Sequence, residues 1–116
     1  MDKKQRSAYL RFLDLCHALE RKEQLGVDAT AIQLLKLIGV SEFNEKPKTV
    51  TEMMALSTVA SPATIHRKLD ELINEGLAEK RFTSPDHRTK RLFLTPKGQK
   101  FFVSRDKLLA KVMRSA

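Results

Sequence analysis

Residues 61–98 read SPATIHRKLDELINEGLAEKRFTSPDHRTKRLFLTPKG, and this stretch decides the fold. Its first part predicts a helix over 62–75, because apolar residues recur there at helical spacing. Ser61 can cap the start of this helix, Pro62 suits its first position, and Gly76 can end it. The apolar stripe comprises Ile65, Leu69, Leu72 and Ile73. We therefore predict an amphipathic helix that buries one face.

Two strand-like segments follow this helix. LAEKRFT, residues 77–83, alternates only fairly between apolar and polar positions, whereas RLFLT, residues 91–95, has a clearer strand pattern. Between the two segments, Pro85 favours a turn. Residues 80–91 contain five basic side chains and one acidic side chain. We predict a basic β-hairpin whose tip, a wing, covers 83–91.

Further helices are predicted on both sides of this stretch. They are a helix over 5–24, a helix over 29–40 capped by Asp28, a short helix over 51–57 capped by Thr49 or Thr51, and a last helix from Pro96 capped by Thr95, with a polar connection over 41–48. A short helix, a tight turn and a longer helix form a helix-turn-helix. The predicted fold class is mainly α with a small β-hairpin wing, a winged helix-turn-helix.

Composition limits the possible partners and compartments. The chain has 116 residues, which suits one small domain, and a net charge of +8, which favours a polyanionic partner such as nucleic acid. Cys16 is the single cysteine, so no intrachain disulfide can form. No long apolar stretch predicts a membrane span, and the N-terminus is too polar for a secretory segment. We expect a cytoplasmic protein without a membrane partner.

The exposed side of the helix over 62–75 has residue types that suit DNA. In a helix-turn-helix protein the N-terminal residues of the second helix enter the major groove. Arg67 can bond guanine, Thr64 can contact a base or a thymine methyl group, and His66 can bond a purine edge. The predicted DNA-binding residues are Ser61, Ala63, Thr64, His66, Arg67 and Lys68 in the helix, and Asp86, Arg88, Lys90 and Arg91 in the wing. The alternative is an ordinary solvated face.

Both terminal helices have more apolar surface than one small core needs. The apolar residues are Tyr9, Phe12, Leu13, Cys16 and Leu19 in the first helix, and Phe101, Phe102, Val103, Leu108, Leu109, Val112 and Met113 in the last. Exposure of both bands to water would favour aggregation, and a two-fold dimer would bury them. We predict one domain over 1–116, with dimerisation helices at 1–26 and 96–116 and a DNA-binding core over 28–95.

The stretch resembles the multiple-antibiotic-resistance regulator (MarR) family of bacterial winged-helix transcription factors. The matching residues are Arg67, Asp70, Leu72, Gly76 and Leu77, then Asp86, Arg88 and Arg91 in a D-x-R-x-x-R spacing, then Leu94, Thr95 and Gly98. The resemblance implies a homodimer with intertwined terminal helices that binds a palindromic operator, mostly as a repressor. It also implies that Arg88 enters the minor groove and that a small phenolic or lipophilic effector releases the DNA.

The sequence departs from the family pattern at three points. It is short, and the usual helix after the one at 96–115 is missing, so we expect a smaller or rearranged dimer interface. The turn at 57–59 contains no glycine. His66 stands where a small polar residue is usual before the recognition arginine, so we expect a different operator sequence.

Other functions have less support in the sequence. A winged helix can also be a protein-interaction module without specific DNA binding, and this is the main alternative. Cys16 lies in the helix where some family members sense peroxides, but its apolar neighbours favour a buried thiol. No phosphate loop, metal-ligand cluster or nucleophile–base pair is evident, so we predict no enzyme activity, no cofactor and no metal.

Asp86 is the one acid in the basic wing. It stands two residues before Arg88, close enough across a turn to accept hydrogen bonds from the guanidinium and direct it outward. Fixing a long arginine in advance reduces the rotamer entropy lost on binding. The alternative is that Asp86 bonds its own backbone in the turn, and both roles are compatible.

Overall fold

The computed structural model describes residues 7–56, 58–83, 85 and 88–114. Its elements are α1 (Ala8–Lys22), α2 (Ala29–Phe43), α3 (Val50–Met54), α4 (Pro62–Asn74), β1 (Ala78–Phe82), β2 (Lys90–Leu94) and α5 (Pro96–Arg114). The predicted fold class, mainly helical with a small hairpin, is confirmed. None of the described helices is both long enough and apolar enough to cross a membrane.

The caps confirm the predicted starts of α2 and α4, whereas α1 begins at Ala8, later than the predicted residue 5. Asp28 accepts a hydrogen bond from the amide of Ala31 at 3.0 Å, which fixes the start of α2. Ser61 accepts one from the amide of Thr64 at 3.3 Å, and Pro62 occupies the first turn of α4. Thr49 caps α3, so the choice left open between two threonines is decided.

Helix α2 is longer than the predicted 29–40. It continues to Phe43 and ends in a Schellman motif, in which the amide of Lys46 donates to the carbonyl of Ser41 at 2.9 Å. The residue in the left-handed region is Glu45, with φ of 58°. Glycine or asparagine is the usual residue there, so the sequence contained no recognisable stop. Helix α4 ends in the same motif, with the predicted Gly76 at φ of 73°.

Strands β1 and β2 form an antiparallel hairpin close to the predicted positions. In its register Ala78 lies opposite Leu94 and Arg81 lies opposite Arg91. The amide of Leu92 donates to the carbonyl of Lys48 at 2.8 Å, so the connection between α2 and α3 runs beside β2. The hairpin is thus attached to the chain just before the helix-turn-helix.

The described chain forms two compact units, and residues 26–99 make up one of them. In this unit α4 packs on α2, α3 and β1, while α2 also packs on β2. Its buried apolar residues are Ala31, Leu34, Leu35, Ile38, Met53, Ile65, Leu69, Leu72, Leu77, Ala78, Leu92 and Leu94. A side chain at Gly98 would collide with the carbonyl oxygen of Leu77, which explains why a glycine stands there.

The second unit lies within residues 1–25 and 100–116. Glu23, which ends α1, pairs with Arg105 of α5 through two contacts of 2.6 and 2.9 Å. The Arg105 guanidinium also lies 3.5 Å from the ring centre of Phe101. Several large apolar side chains of this unit are exposed, namely Tyr9, Leu10, Val103, Leu109 and Met113. Tyr9 belongs to the predicted apolar stripe, yet it is 65% exposed.

Candidate nucleic-acid interface

Helices α3 and α4 form the predicted helix-turn-helix. The two helices pack together, and Met53 of α3 is buried. The amide of Val59 donates to the carbonyl of Leu56 at 3.1 Å, which closes the turn. No glycine is present in this turn, so ordinary residues close it.

Helix α4 divides into a buried face and an exposed face. Ile65, Leu69 and Leu72 are buried, as the apolar spacing predicts, and Ile73 is partly buried. On the other face the exposed residues are Ser61, Pro62, Ala63, His66, Arg67 and Asp70. The exposed residues near the N-terminus include four of the six predicted DNA-binding residues of this helix. An arginine displayed in this way can form two parallel hydrogen bonds to a base edge.

The two hydroxyl groups at the start of α4 are joined. The Ser61 hydroxyl donates to Oγ1 of Thr64 at 3.0 Å and also accepts from the Thr64 amide. Thr64 is partly buried, but its own hydroxyl hydrogen is still available to a partner. The hydrogen bonds with Ser61 therefore position Thr64 and leave its hydroxyl able to donate to DNA.

His66 lies beside Asp70 one turn further along α4. Its Nδ1 is 3.4 Å from a carboxylate oxygen of Asp70, and both side chains are about half exposed. The two side chains are neighbours on the exposed face of α4. Across the described residues, no three histidine, cysteine or acidic side chains gather into a group that could hold a metal ion.

Lys68 is in a different environment from the other predicted residues of α4. Its Nζ lies 2.7 Å from Asp28 and 3.2 Å from Glu71, and its side chain is only 15% exposed. The hydrogen bond from Lys68 lowers the pKa of Asp28, and the two carboxylates raise the pKa of Lys68. The lysine therefore joins α4 to the capped start of α2.

Arg91 is similarly engaged at the base of the wing. Its Nη1 donates to Oε1 of Glu52 at 2.8 Å and to the carbonyl of Pro47 at 3.0 Å. Glu52 also closes the capping box of α3 by accepting from the Thr49 amide at 3.0 Å. Hydrogen bonds from Thr49, followed by that from Arg91, lower the pKa of Glu52.

Of the remaining predicted wing residues, Lys90 begins β2 and Arg88 lies two residues before it. Arg88 and Lys90 are exposed, and the Lys90 amine is 4.8 Å from the ring centre of Phe82. Asp86 lies outside the described residues, so its pairing with Arg88 stays a prediction.

Sequence reasoning did not single out two basic residues of β1. Lys80 is exposed, and Arg81 lies 4.0 Å from the ring centre of Phe93. Arg81 also pairs with Glu79 at 2.9 Å and with Glu42 at 3.7 Å. The two-residue period of a strand predicts from sequence that Lys80 and Arg81 lie on opposite faces. Which of them shares a face with Arg91 depends on the strand register, which only the structure gives.

Solved structures share this arrangement of helices and hairpin. S. aureus MepR bound to ethidium bromide matches 98% of this chain and 82% of its own, at 17% identity and a TM-score of 0.65. A MarR family transcriptional regulator from Silicibacter pomeroyi matches 92% of this chain, at 23% identity and a TM-score of 0.60. The fold is that of MarR-family regulators. This confirms the fold that the resemblance predicted.

A third such structure, the transcriptional regulator BldR from Sulfolobus solfataricus, matches 99% of this chain at 17% identity and a TM-score of 0.52. The chain spans 66% of the length of the S. pomeroyi protein and 84% of BldR. No protein-family model and no curated protein matches the sequence. At identities of 17–23%, the likeness to these structures establishes the fold alone.

Proposed function

We propose that this protein is a sequence-specific DNA-binding transcriptional regulator that acts in the bacterial cytoplasm. One observation carries the proposal: α4 exposes Arg67 and its neighbours on one face while the opposite face is buried, and a basic hairpin follows directly. This arrangement suits α4 to the major groove, with Arg67 bonding a guanine. The net charge of +8 adds an attraction to the phosphate backbone that does not depend on base sequence.

The wing supplies the second contact in this proposal. Arg88 is exposed beside the hairpin tip, where it can enter the minor groove next to the site of α4. A narrow minor groove has enhanced negative potential, so an inserted arginine contributes more there than at a single phosphate. Asp86 directs Arg88, as proposed from the sequence. Lys68 and Arg91, by contrast, are held by carboxylates and contribute mainly to the shape of the interface.

The protein acts as a homodimer in this proposal. The exposed apolar residues of α1 and α5, among them Tyr9 and Met113, would be buried by a second copy of the chain. A two-fold dimer presents two α4 helices to successive turns of the DNA, so the operator is a palindrome. Binding near a promoter would exclude polymerase, which makes the regulator a repressor.

A small lipophilic or phenolic effector would release the DNA. The support is that a protein of the same fold, S. aureus MepR, holds ethidium bromide. Addition of such compounds to the protein–DNA complex should lower fluorescence anisotropy of labelled DNA if one of them is an effector. Raised salt serves as the positive control for release.

Selection of bound duplexes from a random DNA pool, followed by sequencing, tests the function. We expect an enriched palindrome whose half-sites are one helical turn apart, which would establish the dimer and the operator together. A pool that stays random after repeated rounds would contradict specific DNA binding. That result would favour the protein-interaction module instead.

A further inference from the structure

We propose that the basic residues of β1 and β2 divide between the two faces of the hairpin. Arg91 holds the hairpin on the helices, with a weaker contact from Arg81 to α2, whereas Lys80 and Lys90 contact the phosphates of DNA. This inference rests on the proposed function and refines it, because it adds Lys80 to the interface and makes Arg91 a positioning residue.

The division follows from the strand register. Successive side chains of a strand point to opposite faces, and directly paired residues share a face. Arg81 lies opposite Arg91, so these two arginines occupy one face of the hairpin. Phe82 lies opposite Lys90, and Lys80 is two residues from Phe82, so both lysines occupy the other face.

The arginine face meets acidic side chains from the helices. Two like charges directly opposite each other destabilise a hairpin unless other groups offset them. Here the end of α2 provides Glu42 for Arg81, and α3 provides Glu52 for Arg91. Arg91 also donates to the carbonyl of Pro47, and its side chain is only 32% exposed. Arg91 therefore joins the hairpin to α3 and to the connection before it, whereas the half-exposed Arg81 pairs at 2.9 Å with Glu79 of its own strand and lies 3.7 Å from Glu42.

Glu52 couples the wing directly to the helix-turn-helix. The same Oε1 accepts from the Thr49 amide at 3.0 Å and from Arg91 at 2.8 Å. The start of α3 and the base of β2 are thus held by one carboxylate. Loss of its charge would loosen the wing without removing any residue that contacts DNA.

The lysine face has a different character. Near the base of the hairpin it carries the buried Ala78, Leu92 and Leu94, and further along it carries the exposed Lys80 and Lys90. Lys80 and Lys90 are both exposed, and the Lys90 amine lies 4.8 Å from the ring centre of Phe82 on the same face. An ammonium group is a compact point charge that suits a phosphate without strict geometry, which fits this placement.

The direction in which one substitution changes DNA affinity shows whether Arg91 anchors the hairpin or contacts DNA. Glu52→Gln removes a negative charge but keeps a side chain that can close the capping box. If Arg91 is an anchor, the variant should bind DNA roughly 2- to 5-fold more weakly, the range expected for loss of one solvent-exposed ion pair. If Arg91 contacts phosphate, its release should tighten binding, and that result overturns the proposal. Glu45→Gln is the control, because it makes the same charge change at an exposed residue of the nearby connection; it should not weaken binding.

The salt dependence of affinity tests the lysines. Each lost phosphate contact should decrease the steepness of the negative slope of log affinity against log salt by about 0.9. Lys80→Ala and Lys90→Ala should each show this decrease, whereas Arg91→Ala should weaken binding with a smaller change in slope. Unchanged slopes for both lysine variants, or a full decrease for Arg91→Ala, would overturn the division.

Hydrogen exchange of the DNA-free protein separates this inference from the proposed function. Glu52→Gln should accelerate exchange of the Leu92 amide, which bonds Lys48 at the base of the wing. Unchanged exchange would overturn the anchoring role even in a protein that binds DNA. A wild-type protein that binds no DNA would instead overturn the proposed function and the lysine contacts, while exchange would still decide the anchoring role.

Discussion

Helix α4 and the wing differ in how their basic residues are engaged. Near the start of α4, Arg67 is exposed where helical periodicity predicts it, on the face opposite the buried stripe. In the wing, Arg91 was expected to face DNA like its neighbours, but a carboxylate 39 residues away holds it. Local periodicity assigns a helix face, whereas the role of a charge on a hairpin depends on the distant segment that packs beside it.

The largest expected effect concerns the buried face of α4. Leu69 is 1% exposed, so Leu69→Ala should lower the free energy of unfolding by roughly 2–5 kcal/mol. Urea denaturation followed by circular dichroism measures this loss. Ala63→Ser, on the exposed face, is the matched control and should change stability little. A similar loss in both variants would contradict the division of α4 into two faces.

The next effect concerns base readout by α4. Arg67→Ala should relax the preference at one base position, at a cost of roughly 1–3 kcal/mol in discrimination. Repeating the DNA selection with the variant measures this change. Lys36→Ala removes the same charge from the exposed surface of α2 and should leave the preference intact. An unchanged preference in the Arg67 variant would remove this residue from the readout.

The wing should show a smaller but graded effect. Arg88→Ala should weaken DNA binding more than Lys90→Ala, because a minor-groove arginine sits in a stronger negative potential than one phosphate provides. Asp86→Ala should also weaken binding, although it removes a negative charge, because Arg88 loses its orienting partner. Fluorescence anisotropy at one salt concentration compares the three variants. Equal losses for Arg88 and Lys90, or tighter binding by the Asp86 variant, would contradict these roles.

The smallest effect is on pH dependence. Folding lowers the pKa of Asp28 and of Glu52, so the folded chain binds fewer protons than the unfolded chain near pH 4. Their contribution to stability is therefore present above the unfolded pKa of about 4 and is lost as pH falls through the folded pKa. In thermal melts between pH 3 and pH 6, the melting temperature of the double variant Asp28→Asn and Glu52→Gln should fall less with decreasing pH than that of the wild type. If the melting temperature falls equally with pH in both proteins, these two carboxyl groups contribute nothing to the pH dependence of stability.

The fold was largely predictable because its determinants are local. The caps Asp28 and Ser61, the stop at Gly76 and the apolar stripe of α4 all lie within or next to the elements they define. The end of α2 was missed because Glu45 adopts a left-handed conformation that its residue type does not indicate. The sequence pattern predicted an element's boundaries wherever residues within or next to that element determine them.

The site was only partly predictable because several side chains depend on distant partners. Lys68 and Arg91 have the residue type of DNA contacts, yet the acids that hold them belong to other elements. The Asp28 and Glu52 side chains each serve as a helix cap and as a partner for one of these bases. A cap is visible in sequence, but its second partner is known only once the chain is folded.

The most direct measurement of the central claim is a titration of the enriched palindrome by fluorescence anisotropy at several salt concentrations. A scrambled duplex of the same composition provides the comparison. We predict tight binding of the palindrome near physiological salt, weaker binding of the scrambled duplex, and affinity that falls steeply as salt rises. Equal affinity for both duplexes, or no binding near physiological salt, would contradict the claim that α4 and the wing read a specific DNA sequence.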